Sequence, residues 1–316
     1  MKANMIKAVA TVLALSAAFA AEARPPKPWE RATLIKGVQR VPTAAKVPFR
    51  LGVARWTFHT ILDEQGIQKV LEIMKAVDCH YLGIMGKTIG YDATDEELSA
   101  YKAYLASYGI ESDTLGPDDV TNEAEARLRF EFAKRYGMKV ISLLPCERKT
   151  RKVNGKDVTY EVESAVVLDI VERLAKEYDI KVAIHNHGPD SPELYSTADS
   201  IWKLIKDRDE RIGFCFDMGH ELRAGCDPIR AIRKYGKRFH DVHLKNITPH
   251  PICNVALPGP RGVLDIPGIL QALVDIGYSG VCHIEYETDY KDPAMGLAES
   301  MGYYRGVMDM LKVGGK

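Results

Sequence analysis

Residues 182–190, VAIHNHGPD, set two histidines one residue apart at the end of an apolar run, directly before a Gly-Pro break. On an extended strand alternate side chains share a face, so His185 and His187 point the same way where the chain turns. Three further runs end alike: FDMGH in Asp217 and His220, DVHLK in Asp241, His243 and Lys245, and HIEYE in His283, Glu285 and Glu287. Ionisable groups at four consecutive strand exits are not a core pattern. Parity narrows the set. Phe214 and Phe216 oppose Asp217, Ile284 and Tyr286 oppose Glu285, and Val242 and Leu244 flank His243. If the bulky side chains face outward, Asp217, His243 and Glu285 point at a common axis. His185 joins them, although its neighbour Asn186 fits the rule least well. Two imidazoles and two carboxylates meeting at one point suit a single divalent ion such as Zn, Mn, Fe or Co. Such a cation removes the desolvation cost that buried, unpaired carboxylates would incur.

Those exits need a scaffold that brings distant segments together. From residue 49 short β-rich runs alternate with amphipathic helical stretches: FRLGVARWTF then IQKVLEIMKAV, HYLGIMG then DEELSAYKAYLASYG, IESDTLG then NEAEARLRFEFAKRYG. The rhythm continues to a last pair, GVCHIEYE and DPAMGLAESMGYYRGVMDMLK, making eight units in all. Apolar strands alternating with helices imply a parallel sheet buried on both faces. Eight units in this length predict an α/β fold, a closed (β/α)₈ TIM barrel in a single domain over residues 49–313. No Gly-rich dinucleotide fingerprint follows the first strand, which disfavours an open doubly wound sheet. Two connections are long, ERKTRKVNGKDVTYEVE after the fourth strand and ITPHPICNVALPGPRGVL after the seventh. Both are expected as loops on the barrel face where sites are built.

The residues that close the chain resemble the xylose-isomerase-like barrels, the sugar phosphate isomerase/epimerase and AP endonuclease family 2 superfamily. The likeness runs from about residue 49 to 312 and is most specific at FDMGH, VHLKN and GVLDIPGILQALVDIGYSGVCHIEYE. It implies a metal at the ends of strands five to eight, with Asp217, His243 and Glu285 matching the family's ligands. His185 stands where the well-studied epimerases carry a glutamate, so their two-glutamate acid–base scheme does not transfer directly. The resemblance further marks His187 and His220 as substrate-facing groups able to bind hydroxyls or move a proton. Lys245 is a candidate oxyanion stabiliser, or an ion-pair partner of Asp241 or Glu287. Glu147 is a candidate acid or base, or a solvated loop charge. Glu287 is a candidate substrate contact. Trp56, with Phe58, is a candidate wall for a sugar ring, or core packing.

Lysines plus arginines number 43, as do the acids, so charge gives no reason to expect nucleic acid or an anionic membrane as partner. Residues 1–23 read as a secretory signal: two early lysines, an apolar stretch from Ala8 to Ala20, then small residues. Cleavage would leave a periplasmic or secreted protein with no membrane anchor, led by an extended segment at 24–48. The six cysteines show no metal-knuckle spacing, so buried free thiols are expected, with a disulfide involving Cys226 or Cys253 the alternative. The expected activity is removal of the proton beside the carbonyl of a keto-sugar, giving an enediolate, with one divalent ion as cofactor. Isomerisation or epimerisation is one outcome, and elimination from an oxidised glycoside the other. Nuclease and non-catalytic sugar-binding barrels fit the charge balance and the ligand set less well. The expected partner is a small carbohydrate, with homo-oligomerisation an open option.

Overall fold

A computed structural model describes residues 47–311 apart from 85, 87, 189–193 and 249–255. The expected export signal, nearly all of the lead-in, and Cys253 lie outside the described residues. The strands are β1 Arg50–Ala54, β2 Leu82–Gly83, β3 Thr114–Val120, β4 Val140–Val153, β5 Lys156–Glu163, β6 Lys181–His185, β7 Ile212–Asp217, β8 Phe239–Leu244, β9 Asn246–Ile247, β10 Ala256–Leu257 and β11 Val281–Ile284. The helices are α1 His59–Ala76, α2 Asp95–Ser107, α3 Glu123–Tyr136, α4 Ala165–Tyr178, α5 Ala198–Ile205, α6 Met218–Arg223, α7 Pro228–Tyr235, α8 Ile266–Asp275 and α9 Ala294–Met310.

Eight strands run in the order β2-β1-β11-β8-β7-β6-β4-β3, each parallel to its neighbours. Parallel bridges Tyr81↔Glu111 and Ile84↔Leu115 join the two ends of that row and close the expected barrel. The strands are apolar on both faces because one face lines the interior and the other lies under helices. In β7 every residue is buried. On the outer layer α3 buries Ala126, Phe130, Phe132, Ala133 and Tyr136, a stripe that removes it from water on one side. Its ends are fixed locally. Asn122 accepts a hydrogen bond from the Glu125 N–H, and Gly137 ends the helix at φ 91°, the left-handed conformation that glycine adopts without a Cβ penalty.

The connection after the fourth barrel strand is not the expected loop. β4 continues past the barrel rim and pairs antiparallel with β5, from Cys146↔Glu163 to Val153↔Lys156. The turn is Asn154-Gly155, with φ of 51° and 78°, which matches the positive φ values of a two-residue hairpin turn. That dipeptide, between β-prone residues, is the sequence signal for the hairpin. The second barrel strand is shorter than HYLGIMG suggested, and the third extends beyond TLG to Val120. After the seventh barrel strand, β9 and β10 form a small antiparallel pair. Five cysteines, Cys79, Cys146, Cys215, Cys226 and Cys282, are free thiols, all buried except Cys226. Among the described residues no helix is long and apolar enough to cross a membrane.

Two glycine substitutions separate barrel from hairpin. A Cβ at Gly213 in β7 would lie 2.1 Å from the Arg238 carbonyl oxygen, while one at Gly155 meets nothing within 4 Å. Gly213→Ala is therefore expected to lower stability in urea unfolding by about 3 kcal/mol, and Gly155→Ala, strained only by its φ, by about 1–2 kcal/mol. Equal effects in the two variants would contradict this division.

Candidate metal centre

The barrel brings the four expected ligands together. One ligand atom each from His185, Asp217, His243 and Glu285 lies within 4.8 Å of the others, and all four residues are buried. β6, β7, β8 and β11 are consecutive around the barrel, and Asp217 sits level with His243 in the register of β7 and β8. His185 Nε2 lies 3.7 Å from Asp217 Oδ2, and His243 Nδ1 lies 2.9 Å from Glu285 Oε2. Neither ring nitrogen of His185 has a hydrogen-bond partner, and Asp217 Oδ2 accepts no well-aligned hydrogen bond. Orphaned polar atoms in a buried place are costly, and a divalent cation would satisfy them together. Two nitrogens and two carboxylate oxygens form a donor set that suits Zn, Mn, Co or Fe.

Lys245 explains how the carboxylates tolerate burial. Its Nζ, 1% exposed, lies 3.2 Å from Asp217 Oδ2, 3.1 Å from Glu285 Oε2 and 3.0 Å from Glu287 Oε2. The expected pairing with Glu287 is present, joined by the two ligand carboxylates; Asp241 is not a partner in this set. One ammonium against three carboxylates leaves two negative charges, the deficit that one divalent ion neutralises. Burial would raise the carboxyl groups of Asp217 and Glu285, but the Lys245 charge and the nearby histidines hold both well below the usual carboxylate range. For Glu287 burial prevails and its carboxyl is raised. Burial also acts against the Lys245 ammonium, yet Asp217 and Glu285 hold it above its ordinary value.

The imidazoles divide into two kinds. Burial lowers His185 and drives His220 far below the usual range, while His187 is pushed down to about 4. His220 Nε2 lies 3.0 Å from Lys245 Nζ, and because an ammonium only donates, His220 accepts there and is neutral. The His187 and His220 ring centroids are 4.5 Å apart, each within 6 Å of the His185 ring at 5.8 and 5.7 Å. Thus a neutral histidine pair stands beside the ligands. His243 differs: burial lowers it, but the Glu285 and Asp241 charges outweigh that and raise it.

Local sequence places these groups. Asp217 ends β7 and caps α6: its Oδ1 accepts from the His220 N–H at 2.8 Å, leaving Oδ2 for the centre. Gly219 is required because a Cβ would lie 2.6 Å from the Lys245 carbonyl oxygen, so α6 packs directly on the chain after β8. Asn186, the residue that fitted parity least well, has its own task. Its Nδ2 donates to the Asp217 carbonyl at 2.9 Å and its Oδ1 accepts from the Asp217 N–H at 2.8 Å, extending the β6–β7 ladder by a side chain. Glu221 Oε2 in turn faces Asn186 Nδ2 at 3.4 Å and accepts from the Ala198 N–H at 2.9 Å.

Other expected residues fall elsewhere. Glu147 is exposed on the hairpin and accepts from the Ser164 hydroxyl at 2.9 Å; it is not among the converging groups, because β4 carries it past the rim. Phe58 is fully buried and is core packing. Trp56 is 38% exposed and stacks on His59 with centroids 4.6 Å apart, while His59 meets Tyr290 edge-on at 4.3 Å. Beneath the ligands, His283 is pushed up to about 10: burial opposes its charge, but Asp241 and Asp113 overcome that.

The fold and the site define a (β/α)₈ barrel with a candidate single-metal centre at the exits of four neighbouring strands. The family description for the xylose isomerase-like TIM barrel matches residues 71–307, and the chain belongs to that family. Rhizopine catabolism protein MocC of Rhizobium meliloti is 27% identical over 157 residues, 45% of this chain and 46% of that protein. An inosose dehydratase of Clostridium perfringens is 29% identical over 201 residues, 56% of this chain and 66% of that protein. The chain therefore spans about half to two thirds of the length of these curated relatives. Among solved structures, the IolI protein with a bound zinc atom superposes with a TM-score of 0.65 at 19% identity, over 84% of this chain and 99% of that one.

Replacing Lys245 by Met should destabilise the metal-free protein by about 3–5 kcal/mol, since three carboxylates lose their cation. Saturating Mn²⁺ or Zn²⁺ should then raise the variant's melting temperature more than the wild type's; equal shifts would count against the shared-charge account. Glu221 allows a pH test. Burial pushes its carboxyl up to about 7, so the unfolded chain ionises first as pH rises. Stability should fall from the ordinary carboxylate range up to about pH 7 and then level. The non-ionising Glu221→Gln should flatten that slope in urea titrations at a series of pH values.

Proposed function

We propose that this chain is an exported, divalent-metal-dependent lyase acting on a keto-sugar or keto-polyol. It removes the proton next to the carbonyl and expels a β-hydroxyl as water. The observation that carries this reading is the neutral pair His187 and His220 beside the four ligands, with His185 in the place where a carboxylate base would stand. The likeness to inosose dehydratases, at 29% identity, supports the same class. When bound, a divalent ion at His185, Asp217, His243 and Glu285 supplies Lewis acidity toward a carbonyl and its neighbouring hydroxyl.

The chain's own residues supply the proton handling. His187, or the neighbouring His220 once its Nε2 leaves Lys245, accepts the proton from carbon. The C–H electron pair becomes the new C=C bond as the β C–O bond breaks. The departing hydroxide takes a proton from the imidazolium and leaves as water, so the step is a net dehydration without redox change. Lys245 keeps Asp217 and Glu285 ionised and fixed, and its charge faces any oxyanion forming beside them. An isomerase or epimerase reading shares the first half of this scheme. Glu287, raised in its carboxyl and 3.0 Å from Lys245, favours it as a second proton carrier. Export is supported by the basic, apolar and small-residue order of residues 1–23.

The test is NMR in deuterated water with the metal-loaded protein and a panel of cyclic keto-polyols and 3-keto-glycosides. Dehydration predicts loss of the hydrogen beside the carbonyl together with loss of the β-hydroxyl; deuterium at that carbon with the hydroxyl retained would select the epimerase. His220→Ala should keep its metal and lose about 10²- to 10⁴-fold in turnover. Full activity in a chelated sample would end the proposal.

A further inference from the structure

The rim beyond the ligands carries an aromatic group that the proposed reaction does not use. β1 pairs Val53 with Ile284, so Glu285 stands one residue past that rung and Trp56 three. The two exits are clamped together: the Thr57 hydroxyl donates to the Ile284 carbonyl at 3.4 Å and accepts from the Tyr286 N–H at 2.9 Å, the residues on either side of Glu285. Trp56 is therefore anchored next to the candidate centre and outward of it. Its indole stacks on the His59 ring with centroids 4.6 Å apart and planes 18° from parallel, and His59 meets Tyr290 edge-on at 4.3 Å. His59 Nδ1 donates to the Trp56 carbonyl at 2.7 Å, and Asp289, beside Tyr290, accepts from the Tyr286 hydroxyl at 2.7 Å, so the trio is held from both strand exits. Burial and the charges of Glu287 and Glu285 raise the Tyr290 phenol against the opposing charge of Lys245, and all three charges belong to the centre.

Packing alone accounts for this group poorly. Trp56 remains 38% exposed after stacking, the most exposed tryptophan, tyrosine or phenylalanine among the described residues. Holding an aromatic plane still while it stays open to water adds little stability, but it removes in advance an ordering cost that binding would otherwise carry. The surroundings also change with depth. Lys245, Glu285, Glu287 and the imidazoles of His185, His187 and His220 surround the centre, and the aromatic plane lies at the rim. An oxygen-rich reacting ring suits the first, and the C–H face of a neighbouring ring suits the second. We propose that Trp56, braced by His59 and Tyr290, is the platform for a second sugar ring, so that the substrate is an oxidised glycoside of at least two rings and not a free keto-polyol. The inference rests on the keto-sugar reading of the centre and narrows its substrate class.

The test reads binding before chemistry. Unoxidised sugars lack the carbonyl and bind without reacting, so metal-loaded full-length wild type, Trp56→Ala and Trp56→Phe are titrated calorimetrically with α- and β-linked glucose disaccharides and with methyl glucosides. Wild type should bind at least one disaccharide about 3- to 10-fold more tightly than the matching methyl glucoside. Trp56→Ala should bring that ratio close to one, and Trp56→Phe should restore most of it. Equal affinities in wild type, no binding of either sugar, or an undiminished ratio in a folded Trp56→Ala would overturn the inference. If Trp56→Ala fails to fold, wild type decides: NMR saturation of the aromatic protons should transfer to C–H hydrogens of the second ring, and no transfer there would overturn it. The expected ratios without elimination from any 3-keto-glycoside would end the proposed reaction alone. Elimination that proceeds equally well from one-ring and two-ring ketones would overturn the platform alone.

Discussion

The burial of three carboxylates around one ammonium is the constraint on which this molecule is built. Asp217, Glu285 and Glu287 meet Lys245 in a place almost closed to water, and none could be ionised there without that partner. Strand exits are suited to such a cluster because their backbone is already satisfied by the barrel ladders, so the polar cost falls on side chains alone. Asp217 illustrates the economy of the arrangement. Its backbone ends β7, its Oδ1 starts α6, and its Oδ2 faces the centre, so strand, helix and ligand share one residue.

Rigidity follows from what stands behind the ligands. Asn186 ties the backbone of Asp217 to the end of β6, and Glu221 ties Asn186 to the start of α5. Gly219 lets α6 lie against the carbonyl of Lys245. These contacts use side chains where the regular ladder stops, which is why the site keeps its geometry just where a barrel gives way to loops. Rotamer freedom lost by each of these buried groups is lost once, on folding, and need not be lost again when a ligand binds.

The sequence made the barrel legible because its strands and helices alternate with distinct periods, and it made the four ligands legible because parity separates Asp217 from Phe214 and Phe216. Parity also misled. Asn186 looked like a flaw in the His185 argument because its partner is the backbone of another strand, which no one-dimensional pattern records. The hairpin at Asn154-Gly155 was hidden by its charge: a run of lysines and arginines reads as loop, although the turn dipeptide was visible. Glu147 was placed at the site because it follows a strand, but a strand that outruns the barrel carries its residues away from the axis. The Asp113–His283 pairing joins residues 170 positions apart, and only closure of the barrel reveals it.

The histidine at the fifth barrel strand has consequences for charge as well as for proton transfer. A glutamate in place of His185 would add a third anionic ligand to Asp217 and Glu285. With a neutral imidazole, a bound dication is less fully neutralised by its own ligands and retains more of its power to acidify a substrate. The same change removes a carboxylate from the region where a proton must be collected. His187 and His220 remain, held in the neutral form by burial and by the neighbouring ammonium, so in the proposed step the accepting group is one whose charge appears only as the proton moves. A base of this kind is stabilised on protonation by Asp217 and Glu285 close by, and it returns its proton most readily to a strongly basic leaving oxygen. In the dehydration proposed above, the departing hydroxide is the group that takes this proton, so the ligand change and the histidine pair are accommodated by one scheme.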